Sequence, residues 1–187
     1  MELYLIRHGI AYERNPNIKD EERELTASGR GKTRKVAKRL YDLGLRFEVI
    51  LTSPLVRSRQ TAEILRSCSL SSQIEECSYL SPNGNIQDWL KDLEQKQILV
   101  TDTKFAMVGH QPDLGEWAEI LVWGKTRVEA ALTDISTDKS QSPKTIPEKM
   151  PLLILKKAGI IGLQLPETGS PVGCSQLFWL APPKFLL

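Results

Sequence analysis

The chain contains two histidines, His8 and His110. Each follows an apolar run and each touches a glycine: "LYLIRHG" at 3–9 and "KFAMVGH" at 104–110. Arg7 stands beside His8. Arg57 and Arg59 follow a third apolar run, "FEVILTSP", at 47–54. A single histidine at such a place is usually structural. When both histidines stand there with arginines alongside, a site becomes the better reading. Two arginines and two imidazoles make a pocket for a dianionic tetrahedral group, because guanidinium offers forked donors and keeps its charge near neutrality. An imidazole adds what binding alone does not need: it can donate, take a proton, or attack phosphorus through a ring nitrogen.

Metal chemistry is the main rival. Two histidines need a third or fourth ligand for a zinc site. Cys68, Cys77 and Cys174 lack ligand spacing, and neighbouring arginines would repel a cation. No metal and no cofactor are expected. Neither GxGxxG nor GxxxxGK[ST] occurs, so the common nucleotide-binding loops are not indicated.

Something must carry these residues to one place. The 187 residues fit one domain, 1–187, with 41% apolar and 26% charged residues. Net charge is +2, which gives no electrostatic case for nucleic acid or a membrane surface. No leader pattern and no run of the ~18 apolar residues needed to cross a bilayer is seen, so a soluble, cytoplasmic protein is expected.

Strand patterns at 3–6, 47–54, 74–80 and 104–110 alternate with helical ones at 26–43, 55–69, 85–97 and 113–124. Thr26 suits an N-cap, Gly44 and Gly124 suit helix ends, and Ser53 or Ser58 stands where the next helix wants a cap. "AGIIGLQLP" and "SQLFWLAPP" read as two last strands with no helix between them. Residues 134–150, polar and holding Pro143 and Pro147, read as an exposed or disordered loop. The pattern predicts a three-layer α/β/α sandwich whose mostly parallel sheet contains an antiparallel strand. Ligands of such sheets bind beyond the carboxyl ends of the strands, where both histidines fall.

The motifs resemble the histidine phosphatase (phosphoglycerate mutase-like) superfamily: "LIRHG", "LTSPLVRSRQTA" at 51–62 and "VGHQPDL" at 108–114, in the family's order. "RHGIA", "ELTASGRGK", "YLSPNGN" and "GHQPDL" are similar to its SixA-type phosphohistidine phosphatase branch. The resemblance covers residues 1–125 well and the tail loosely. It implies His8 as the phosphoryl-accepting nucleophile, Arg7 and Arg57 as clamps on its oxygens, and His110 as the fourth pocket residue. Gly9 would allow a tight turn beside the phosphate. Arg59 is placed toward solvent by helical spacing, and Ser53 is assigned to capping.

Many members of the superfamily carry a glutamate after the third strand as proton donor. Here that stretch is "YLSPNGN", without a carboxylate. Asp88 and Asp92 on the following helix are expected to face solvent, which leaves Glu13 as a fallback donor. An alkoxide leaving group needs a general acid, worth roughly 10²–10⁴-fold. A phosphohistidine leaves as imidazole, with a pKa near ~6.5, and needs less help. The expected partner is therefore a phosphohistidine-containing phosphotransfer protein in signalling, with a small phosphorylated substrate as the alternative. A non-catalytic phosphate- or phosphoprotein-binding module and a mutase are further alternatives. The retained His8 argues against the first of these and the missing carboxylate against the second. Oligomeric state is not legible.

Overall fold

A computed structural model describes residues 1–95, 103–126 and 151–187. Strands β1 (Glu2–Arg7), β2 (Val49–Thr52), β3 (Ile74–Glu76), β4 (Lys104–Gly109), β5 (Ile160–Gln164) and β6 (Gln176–Ala181) form one sheet in the order β3-β2-β4-β1-β5-β6. β1, β2, β3 and β4 run parallel, and β5 is antiparallel to both β1 and β6. The single reversed strand is the one expected from the missing crossover helix. The protein is an α/β sandwich. The loop at 134–150 lies outside the described residues.

Helices α1 (Ala27–Asp42) and α2 (Val56–Ser67) cover one face of the sheet; α3 (Ile86–Gln95) and α4 (Asp113–Trp123) cover the other. Alternation along β1 feeds both layers. Leu3 and Leu5 pack with Trp89, Leu114 and Trp117, while Tyr4 and Ile6 pack with Val36, Leu40 and Leu65. Being buried on both faces is why this strand is a continuous apolar run. Among the described residues no helix is long and apolar enough to cross a membrane.

Register brings the functional strand ends level. Arg7 pairs with Gly109, and the His8 amide continues the ladder to the Gly109 carbonyl at 3.1 Å. The Ser53 amide donates to the Val108 carbonyl at 2.9 Å. Thr26 caps α1, its Oγ1 accepting from the Gly29 amide at 2.9 Å, and Gly44 follows the helix at φ 85°. The third strand is shorter than its pattern. Only Ile74–Glu76 pair, and Ser78–Leu80 turn into a 3₁₀ helix.

The start of α1 presses against the loop that leaves β1. A Cβ on Gly29 would stand 2.0 Å from the Ile10 carbonyl oxygen. Backbone on both sides cannot yield cheaply, so Gly29→Ala is expected to destabilise the fold by about 2 kcal/mol or more, as overpacking does. Urea unfolding measures this; an unchanged midpoint would refute the close approach.

Candidate active site

The structure brings together all four side chains singled out by the sequence. His8 and His110 lie one residue past the paired ends of β1 and β4, with ring centroids 5.2 Å apart. His8, Arg57 and His110 are 7%, 3% and 4% exposed, so burial amplifies every charge interaction among them. Arg7, half-buried, comes from the end of β1, and Arg57 from the first turn of α2.

His8 Nδ1 lies 2.7 Å from the Gly9 carbonyl oxygen. A carbonyl only accepts, so Nδ1 carries the proton and Nε2 keeps its lone pair. This backbone acceptor is invisible to sequence reading. The Gly9 amide in turn donates to Thr61 Oγ1 at 3.0 Å, and Thr61 donates to the Arg57 carbonyl at 2.8 Å. The loop carrying His8 is thereby tied to the helix carrying Arg57. Gly9 has no positive φ. It is required for space, since a Cβ there would fall 2.3 Å from Thr33 Oγ1.

His110 Nε2 lies 2.9 Å from Ser53 Oγ and 3.4 Å from Ser58 Oγ. Ser53 Oγ also accepts from the Leu55 amide at 3.4 Å and has a proton to offer His110 Nε2. The assignment of Ser53 to capping is thus corrected. The residue preceding α2 is Leu55, with no side-chain cap, and both serines orient His110 instead.

Arg57 is gripped by a residue that sequence reading missed. Its Nη1 donates to the Asp20 carbonyl at 2.6 Å and its Nη2 to Asp20 Oδ2 at 2.9 Å. Asp20 Oδ1 also receives Arg23 Nη2 at 2.8 Å and Arg14 Nε at 3.2 Å. Burial pushes the Asp20 carboxyl up, but Arg57 and Arg23 outweigh it and hold it below the usual carboxylate range. Arg7 Nη1 donates to the Leu155 carbonyl at 2.8 Å. That segment is held by Gln111, which contacts the Leu153 carbonyl and Leu155 amide at 3.3 Å each, and by the fully buried Glu119, which accepts from the Leu152 and Leu153 amides. The acidic run "DEE" at 20–22 and the glutamine in "GHQPDL" are the signals that could have marked Asp20 and Gln111.

After these contacts, four buried side-chain polar atoms among the described residues have no protein partner: Arg7 Nε, Arg57 Nε, His110 Nδ1 and Thr33 Oγ1. The first three belong to the side chains that the sequence assigned to one pocket; both arginine atoms are donors, and His110 Nδ1 is one in the tautomer whose Nε2 accepts from Ser53. Unpaired buried donors are costly, and a tetrahedral oxyanion would satisfy them. Among the described residues no group of three or more His, Cys, Asp or Glu side chains could hold a metal ion.

The remaining candidates fall outside this cluster. Arg59 is half-exposed and pairs with Glu76 at 3.2 Å, in keeping with its expected solvent-facing position. Glu13 is exposed. Asp88 pairs with Lys91 at the surface, and Asp92 is half-buried rather than solvent-facing.

Burial, then mutual repulsion with His110 and the two arginines, pushes His8 down to about 3, against the smaller opposing effect of its bond to Gly9. Burial and Arg57 likewise push His110 down to about 3. Both rings are therefore neutral at pH 7. In the unfolded chain each titrates near ~6.5, so the unfolded state binds more protons below that pH. Stability is complete above about pH 6.5 and is expected to fall toward pH 3, by about 1.4 kcal/mol per pH unit per histidine well below 6.5. Urea unfolding between pH 5 and 7 checks this. The His8→Ala variant should show the shallower slope, and equal slopes would contradict the assignment.

The profile of the histidine phosphatase superfamily (branch 1) matches residues 3–142. The chain belongs to this superfamily. Along its whole length it is 42% identical, over 188 residues and 99% of the relative, to an uncharacterized protein of a Picosynechococcus strain. Among solved structures, this histidine phosphatase superfamily member shares its fold with the protein histidine phosphatase SixA complexed with tungstate (TM-score 0.72, 22% identity, all of both chains). The same fold occurs in a putative SixA from Agrobacterium tumefaciens (0.64, 20%, 97% of each chain). It occurs too in a putative alpha-ribazole-5'-P phosphatase from Escherichia coli (0.65, 14%, 98% and 97%).

Proposed function

We propose that this protein is a phosphohistidine phosphatase acting on a signalling phosphotransfer protein in the cytoplasm, through a phospho-His8 intermediate. The observation that carries the reading is a neutral His8 with a free Nε2 lone pair, beside the buried Arg7 Nε and Arg57 Nε donors and His110 Nδ1, none of which has a protein partner. Such donors, fixed before substrate arrives, favour the charge that develops on a transferring phosphoryl group.

In the first step His8 Nε2 attacks phosphorus in line. The P–N bond of the substrate breaks, and its electron pair stays on the departing imidazole, whose other nitrogen holds a proton. Arg7, Arg57 and His110 hold the three equatorial oxygens. The proton on His8 Nδ1 remains shared with the Gly9 carbonyl, which stabilises the phosphorylated ring. In the second step water attacks phosphorus, the P–Nε2 bond breaks, the pair returns to His8, and a proton is released with inorganic phosphate. Gly9 serves by letting the loop pass close to Thr33. Neither step draws on a metal.

The preference for a P–N bond rests on the carboxylates. Among the described residues the carboxylate that touches the cluster is Asp20, and it is engaged as an acceptor by Arg57 and Arg23. A site without a proton donor suits a leaving group that is already protonated. The SixA structure with tungstate, a tetrahedral oxyanion, and the matching motifs support the same reading.

The test compares a phosphohistidine-bearing phosphotransfer domain, p-nitrophenyl phosphate and sugar phosphates. kcat/KM for the P–N substrate is expected to exceed that for alkyl esters by about 10² or more, the low end of what a general acid supplies. Equal or faster turnover of an alkyl phosphate would replace this proposal with a small-molecule phosphomonoesterase.

A further inference from the structure

Next to the four-residue cluster opens a cleft of about 440 Å³ whose lining includes Arg7, Lys32, Thr33, Lys156, Lys157 and Lys184, and no Asp or Glu side chain. Topology explains its position. α1 supplies Lys32 and Thr33 from its first turns, facing the loop after β1. Lys156 and Lys157 precede β5, whose first residue pairs with Ile6 near the end of β1. β6, antiparallel to β5 and so parallel to β1, ends on the same edge of the sheet, and Lys184 follows it. The cleft therefore lies at the carboxyl edge of the parallel strands, and Arg7 is common to it and to the phosphoryl pocket.

The charge is unusual for this chain. Five cations surround one opening in a protein whose net charge is +2. Among the described residues none of the four lysines makes an ion pair, whereas Arg14, Arg23, Arg57, Arg59 and Arg66 all do. At the cleft's inner wall, Thr33 is 1% exposed and its hydroxyl packs against Gly9.

We propose that this cleft receives an acidic segment of the protein substrate, next to the phosphorylated side chain. The proposal rests on the phosphohistidine-protein reading above and narrows it to substrates with carboxylates near the phosphohistidine. Exposed lysines on long stems suit a multiply charged surface better than a single buried anion, which arginine forks hold more tightly. Such complementarity accelerates encounter and sets orientation, and salt weakens it.

Two phosphohistidine peptides decide the matter, one with aspartate and glutamate on either side of the phosphohistidine and one with serine and glutamine there. At low salt the wild-type protein is expected to prefer the acidic peptide by about tenfold in kcat/KM, carried mainly by KM. The Lys156→Glu/Lys157→Glu/Lys184→Glu variant should bring the ratio of the two peptides to about one, and raised salt should shrink it in the wild type. A ratio near one in the wild type, or an undiminished ratio in the variant, overturns the proposal. If neither peptide is hydrolysed while p-nitrophenyl phosphate is, the phosphohistidine reading fails. The cleft is then decided by fluorescence anisotropy with the acidic peptide unphosphorylated: binding that the triple variant weakens about tenfold supports it, and absence of binding overturns it.

Discussion

Replacing His8 with alanine is expected to abolish phosphate release, with a loss of about 10⁴-fold or more in kcat. Removing a covalent nucleophile leaves only binding and charge stabilisation. The ring makes one hydrogen bond, to the carbonyl of the next residue, so its loss opens a small buried space without breaking a long-range tie. Circular dichroism should remain native. The matching positive result is a phosphoryl group trapped on His8, read by mass spectrometry of rapidly quenched enzyme under alkaline conditions. Retained activity in His8→Ala, or a label found on His110, would remove the mechanism.

Arg57→Ala is expected to cost about 10²–10³-fold in kcat/KM, the range for loss of a fixed donor to developing charge. Arg57→Lys should recover little, because an ammonium cannot both hold Asp20 through two nitrogens and present a third donor. Asp20 provides the contrast. Asp20→Ala keeps the arginine and its charge but removes the carboxylate that aims it, so about a tenfold loss is expected, mainly in kcat if misplacement weakens the transition state more than binding. Asp20→Asn keeps the main-chain carbonyl and one side-chain oxygen and should recover part of the loss. If Asp20→Ala were neutral, the grip on Arg57 would have no bearing on chemistry.

The four candidate site residues stand out in the sequence because strand ends are legible. Apolar runs stop abruptly at Arg7-His8-Gly9, Thr52-Ser53-Pro54 and Gly109-His110, and parallel packing brings their exits to one edge. The sheet's one reversed strand followed from the helix missing between the last two runs. What the sequence hid were partners fixed by tertiary approach. The Gly9 carbonyl that sets the His8 tautomer belongs to every residue type equally. Asp20 reaches Arg57 across 37 positions, and nothing in "DEE" tells which carboxylate turns inward. Ser53 was misread for a related reason. A serine before a helix has two uses, and here the imidazole across the sheet, more than the local amide, engages its hydroxyl. The clearance that Gly9 provides was not legible, because a glycine needed for space and one needed for a bend look identical in a string of letters.

The neighbours of β1 have a consequence for biosynthesis. The strand that leads to His8 is made before both of its ladder partners, β4 at 104–109 and β5 at 160–164. Closing loops of that length costs entropy before any burial repays it. On the ribosome this greasy segment must wait, uncovered, until both partners have emerged. Attachment of Arg7 to the Leu155 carbonyl comes later than the arrival of β4. A polypeptide stopped before β4 thus lacks the assembled cluster and leaves an apolar strand for chaperones to shield.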